Sequence, residues 1–131
     1  MSCEIVVSIQ DRPGTLAQLA ETLGRAGVDI RTAAVTTRSG KGQVHVVVDD
    51  PDTALKALRE AKAKVQECRE VLLVSLDDEP GALASYARQL ADAGVNIRSL
   101  YMAGERPGEK HLIIGVDDVA GARRAVGGQP A

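Results

Sequence analysis

The sequence predicts an α+β protein made of two copies of one βαββαβ unit, and three observations carry that expectation. A segment recurs at a fixed offset, each copy opens with a β-rich run halted by Pro-Gly, and the residues after each Pro-Gly have helical spacing. Asp11-Arg12-Pro13-Gly14-Thr15-Leu16-Ala17 returns as Asp78-Glu79-Pro80-Gly81-Ala82-Leu83-Ala84, and Ala26-Gly27-Val28-Asp29-Ile30-Arg31 returns as Ala93-Gly94-Val95-Asn96-Ile97-Arg98. The offset is 67 throughout, and 12 of the 21 positions from 11 to 31 match their counterparts from 78 to 98. Self-similarity of that kind signals duplication of a structural unit.

Each copy begins with an aliphatic run, Glu4 to Ile9 and Glu70 to Leu76, whose content suits a strand covered on both faces. Leu16, Leu19, Ala20 and Leu23, and then Leu83, Ala87, Leu90 and Ala91, recur at helical steps and predict amphipathic helices. Pro13 and Pro80 suit a first helical turn, while Gly27 and Gly94 suit the left-handed residue that ends a helix. A second strand follows, with Val28, Ile30, Thr32 and Ala34 expected on one side, and Val95, Ile97 and Ser99 repeating the pattern. The turn Ser39 to Gly42, and a longer one from Gly104 to Lys110, lead to third strands at Gln43 to Val48 and His111 to Val116. Asp49-Asp50 and Asp117-Asp118 supply N-caps for second helices carrying Leu55 and Leu58, or Val119, Ala122 and Val126. Val65 to Arg69 completes the first copy with a fourth strand. The second copy has only Gly127-Gly128-Gln129-Pro130-Ala131 left, so no regular fourth strand is expected there. The expected division is residues 1–69, residues 70–126 and a flexible tail at 127–131.

Composition narrows the function. With 16 basic and 18 acidic residues in 131, the formal charge of -2 gives no field for a phosphate backbone. No Phe or Trp is present to stack bases, so nucleic acid is not an expected partner. The N-terminal apolar stretch is soon interrupted by Gln10, Asp11 and Arg12, which predicts neither a signal peptide nor a membrane span, and a cytoplasmic location by default. Cys3 and Cys68 do not make a zinc motif. They lie at the start of the first strand and the end of the fourth, where the fold could bring them close. His45 and His111 lack companions for a ligand set, and no nucleophile with an adjacent base stands out. The protein is expected to be no enzyme and to need no metal or cofactor.

The doubled Asp-x-Pro-Gly-x-Leu-Ala turn and Ala-Gly-Val-(Asp/Asn)-Ile-Arg segment, with the order βαββαβ, resemble the ACT-domain family in tandem. The resemblance implies a ferredoxin-like fold with helices on one face and sheets paired side by side. It also implies allosteric sensing of an amino acid, bound where the turn after strand one meets the start of strand two of a neighbouring domain. Serine-binding relatives carry a histidine two residues before the turn's polar position, whereas Ile9 and Leu76 stand there in this chain.

The residues themselves supply chemistry for an α-amino acid. Backbone N–H groups at a helix start can hold its carboxylate, and Gly14 or Gly81 admits close approach. Asp11 or Asp78 can answer the ammonium, although either could instead cap its helix. Asn96 both donates and accepts, while its counterpart Asp29, when ionised, only accepts. Copies facing each other about a pseudo-twofold axis would join Asp11, Gly14, Thr15 and Leu16 to Asn96, the favoured site. A second site would join Asp78, Gly81, Ala82 and Leu83 to Asp29, where two carboxylates discourage an anionic group. The expected function is a homodimeric, amino-acid-binding regulator whose ligand alters association with itself or with a metabolic enzyme. The alternative is a ligand-free assembly module or a regulatory subunit of an amino-acid biosynthetic enzyme.

Overall fold

Continuous runs of Val, Ile and Leu place the central strands of both sheets, and the chain divides into two compact units, residues 1–69 and 70–131. The computed structural model describes residues 2–127 and 129–130. The first unit contains β1 (Cys3–Gln10), α1 (Thr15–Arg25), β2 (Ile30–Arg38), β3 (Lys41–Val48), α2 (Pro51–Glu60) and β4 (Lys64–Glu70). The second contains β5 (Leu72–Asp77), α3 (Ala82–Asp92), β6 (Ile97–Arg106), β7 (Glu109–Val116), α4 (Val119–Val126) and β8 (Gln129–Pro130). Each is βαββαβ, the ferredoxin-like order, with sheets ordered β2-β3-β1-β4 and β6-β7-β5-β8.

In the first unit β1 runs antiparallel to β3 from Cys3 opposite Val48 to Gln10 opposite Lys41. Strand period then sends Ile5, Val7, Val44, Val46 and Val48 to one face. There they form a single core with Leu19 and Leu23 of α1 and Ala54 and Leu58 of α2. The other face is apolar as well, since Val6 and Val47 are buried beside Glu4, whose carboxylate lies 3.4 Å from His45 Nδ1. Apolar residues on both faces explain why β1 reads as an unbroken run. In the second unit Leu72, Val74, Leu112, Ile114 and Val116 meet Tyr86 and Leu90 of α3 and Ala122 of α4.

Several sequence expectations are corrected. The helices start later than Pro13 and Pro80 suggested, because Gly14 and Gly81 are the N-caps and each proline precedes its cap. A proline does open α2, where Pro51 follows the capping Asp50. The single-sided alternation expected from Val28 to Ala34 is broken by a bulge. Ile30 pairs with Val48 but Thr32 with Val47, so Thr32 and Ala34 face away from the side Ile30 packs on. The same shift lies between Ile97 and Ser99. The expected long turn from Gly104 to Lys110 is a long hairpin, in which β6 reaches Arg106 and β7 starts at Glu109. Gly104 there marks a second bulge.

The caps of the later helices agree with the sequence reading: Asp50 accepts from Thr53 N–H at 3.2 Å and Asp118 from Gly121 N–H at 2.9 Å. The Thr53 hydrogen bonds hold the Asp50 carboxyl below its usual range. At the fourth-strand position of the second sheet, a two-residue β8 pairs with Leu72 and Leu73, where the first sheet has seven residues. Gly and Pro are poor strand formers, which accounts for the shortness. Of the residues read as a tail, 128 and 131 lie outside the described residues.

Cys3 and Cys68 are free thiols, and the two side chains meet across the neighbouring strands β1 and β4. Burial, together with Cys3 beside it, pushes the Cys68 thiol up to about 11. The neutral thiol is the form the fold favours, so its contribution to stability is present below the ordinary thiol value of 9.0 and is lost as pH rises through the folded value. Alkylation of Cys68 at pH 9 is therefore expected to be slower than that of a cysteine in an unfolded peptide, approaching it only near the folded value, as mass spectrometry of timed aliquots would show. A second expectation concerns Tyr86, a core residue whose hydroxyl has no hydrogen-bond partner among the described residues. Burial alone raises its pKa. Tyr86→Phe removes an unsatisfied polar group and is expected to stabilise the protein by about 1 kcal/mol in urea unfolding, where loss of a needed hydrogen bond would destabilise it.

Candidate ligand site

Each first strand ends in a turn that must reverse the chain into a helix within four residues, and glycine makes that possible. Gly14 has φ +92° and Gly81 φ +90°, conformations that a side chain would strain. Neither helix start receives a side-chain cap. In the first turn Arg12 N–H donates to Gln10 O at 3.0 Å, Thr15 N–H to Arg12 O at 3.4 Å and Gln18 N–H to Gly14 O at 3.0 Å. The N–H groups of Leu16 and Ala17 have no partner among the described residues. Those two donors at the positive end of α1 are an anion-binding arrangement. The second turn repeats it, with Ala82 N–H on Glu79 O, Ser85 N–H on Gly81 O, and Leu83 and Ala84 left free among the described residues.

The structure thus brings Asp11, Gly14, Thr15 and Leu16 together in one turn, and Asp78, Gly81, Ala82 and Leu83 in the other. Asp11 and Asp78 are exposed and do not cap the helices, which removes the structural alternative considered for them. They are not equivalent. Asp78 is held by Lys110 Nζ at 3.0 Å, whereas Asp11 has no ion pair among the described residues. That lysine was not foreseen, and it answers the charge at the second turn. The Thr15 hydroxyl lies 2.7 Å from Gln10 O and 3.0 Å from Arg12 O, so its proton braces the turn. Leu16 and Leu83 stand 44% and 45% exposed at the rim, unusual for large aliphatic side chains.

A further brace lies in the hairpins. Asp11 N–H donates to Gly40 O at 3.1 Å and Asp78 N–H to Gly108 O at 2.9 Å, so each β-hairpin tip fixes the start of the turn in its own unit. The glycines of the two hairpin turns were the available signal, but the bond joins segments about thirty residues apart and periodicity does not reveal it.

Asp29 and Asn96 lie just before β2 and β6, both exposed. The Asn96 backbone makes two bonds to Asp117: its N–H donates to the side-chain Oδ1 at 2.9 Å and its carbonyl accepts from the Asp117 N–H at 3.1 Å. Its side-chain amide is left exposed. Arg31 donates to Ser2 Oγ at 3.0 Å and lies 3.7 Å from Asp49 Oδ1. His45 and His111 sit against Gln43 and Glu109, and no group of three potential metal ligands occurs among the described residues. No helix among them is long and apolar enough to cross a membrane.

Comparison with known proteins supports the same architecture. Residues 4–65 match the family model of the ACT domain. No curated protein matches the chain. Among solved structures, a protein from Bacteroides thetaiotaomicron is similar with a TM-score of 0.83 at 22% identity, over 95% of this chain and 85% of that one. The ligand-free regulatory subunit of aspartate kinase from Thermus thermophilus is similar with a TM-score of 0.70 at 22% identity, over 95% and 89%. The corresponding subunit from Thermus flavus gives 0.70 at 22%, over 95% and 90%. At those identities the likeness speaks for the fold. The family match lies within the first unit, and the second unit repeats its turn motif and element order.

Proposed function

We propose that the protein is a non-catalytic regulator that binds a free amino acid and transmits occupancy through association with a second copy of itself or with a metabolic enzyme. The observation that carries this reading is the pair of unsatisfied N–H groups, Leu16 and Ala17, at a helix start beside an unpaired carboxylate, Asp11, among the described residues. An α-carboxylate and an α-ammonium need those two features side by side. We place the favoured site at the first turn, completed by the Asn96 amide of a facing repeat. The Asp78 turn, completed by Asp29, is the lesser site because Lys110 already engages its carboxylate. The fold likeness to regulatory subunits of aspartate kinase supports a regulatory role and an enzyme as listener.

Exposed apolar side chains support self-association. Leu16 and Val35 in the first unit, and Leu83, Leu100 and Met102 in the second, remain at least 36% exposed. Val35, Leu100 and Met102 lie on β2 and β6, which are edge strands of their sheets. Edges of that kind need cover, and a second copy supplies it. The same surfaces favour the alternative of a ligand-free assembly module.

Two experiments separate these readings. In a thermal-shift panel of the common amino acids at millimolar concentration, one ligand is expected to raise stability by about 2.7 kcal/mol at a hundredfold excess over its Kd. Asp11→Asn should abolish the response and Asp78→Asn should leave it largely intact. No response from any amino acid would support the assembly module instead. In sedimentation velocity the chain is expected to run as a dimer, and Val35→Glu with Met102→Glu to shift it toward monomer by placing charge on both edges. A monomeric wild type at micromolar concentration would remove the homodimer from the proposal.

A further inference from the structure

Beyond the amino-acid turn, we infer that the first unit carries a separate site for a small phosphorylated molecule, in the groove between α1 and the connection from α2 to β4. The groove has a volume of about 260 Å³. Its floor is apolar, with Val7, Leu19 and Leu58, and its rim carries Arg12, Lys41, Lys62 and Lys64. No Asp or Glu lines it. None of the four cations has an ion pair among the described residues, in a chain whose net charge is -2. Four like charges around one small concavity repel one another, and no Asp or Glu among the lining residues offsets that repulsion. A dianionic group seated among them would. Arg and Lys donors match phosphate oxygens, and the apolar floor would take the organic part of a phosphate ester.

Two independent features support the assignment. Lys62 occupies the left-handed position after α2, with φ +59°, where its N–H donates to Arg59 O at 3.0 Å and the following Ala63 N–H to Leu58 O at 2.9 Å. The second unit uses Gly127, φ +74°, after the equivalent helix α4. The backbone conformation there favours glycine, so the turn itself does not account for the lysine. The repeat supplies the second feature. At the 67-residue offset Gln10, Arg12 and Leu19 become Asp77, Glu79 and Tyr86, and Lys41, which pairs with Gln10, is answered by Glu109, which pairs with Asp77. Two of the four rim cations, Arg12 and Lys41, have acidic counterparts and the leucine on the floor becomes a larger side chain, so duplication left this combination in one copy.

The test uses the full chain labelled with ¹⁵N and phenyl phosphate as probe, with benzoate matched for the ring and ionic strength held constant. Phenyl phosphate is expected to shift the amides of Arg12, Lys41 and Lys62 to Lys64 saturably, and benzoate to bind at least about tenfold more weakly. The double variant Lys62→Gly with Lys64→Gln should fold at least as stably, because glycine relieves the left-handed strain, yet bind phenyl phosphate about tenfold more weakly, a loss of ~1.4 kcal/mol. Absence of saturable shifts at the groove, unchanged affinity in a folded double variant, or equal binding of benzoate would each overturn the phosphate site. The groove shares Arg12 and Thr15 with the amino-acid turn but the variants alter neither, so weakened phenyl phosphate binding in the double variant with an unchanged amino-acid thermal shift distinguishes the two sites.

Discussion

The passage from β1 into α1 sets what the rest of each unit can do. A strand that ends against a helix start within four residues needs a backbone conformation reserved for glycine, and Gly14 and Gly81 adopt it near φ +90°. Because a glycine then stands at the N-cap, no side chain is available to satisfy the first turn of the helix. Two N–H groups stay open to solvent at the positive end of the helix dipole. The geometry that closes the turn is thus the geometry that leaves it able to hold an anion.

Everything around that turn keeps it in place without occupying it. The hairpin tip of the same unit accepts the Asp11 or Asp78 N–H, and Thr15 turns its hydroxyl inward to the turn's own carbonyls. Beneath it, Leu19 and Leu23 tie α1 to the sheet, as Tyr86 and Leu90 tie α3. A rigid element with unmet donors is what a preorganised binding site requires. Duplication then allowed the two copies to diverge. Lys110 neutralises Asp78 while Asp11 stays unpaired among the described residues, and Arg12 and Lys41 of the first unit have acidic counterparts in the second.

Much of this was legible in the sequence, for identifiable reasons. The Pro-Gly motif, the helical spacing of Leu16, Leu19 and Leu23, and the caps at Asp50 and Asp118 are local signals, and local signals survive in a string of letters. The poor strand content after Val126 likewise showed in composition, and β8 has two residues. What escaped were effects set by partners distant in sequence. The bulges after Ile30 and Ile97 depend on register with β3 and β7, and they reverse which side chains face the helices. The Lys110 contact with Asp78 and the Arg31 contacts with Ser2 and Asp49 join residues that only the folded sheet brings together. The exact cap position was missed because proline suits a helix's first turn and also the residue before its cap.

The central claim is that the glycine turn, and not another surface, receives an amino acid through its free N–H groups. A crystal structure grown with a mixture of the common amino acids tests it most directly. The account predicts one bound molecule with its carboxylate within hydrogen-bond distance of the Leu16 and Ala17 nitrogens and its ammonium against Asp11. Crystals that grow in saturating amino acids and show both turns filled only by water, or by neighbouring side chains, would contradict it.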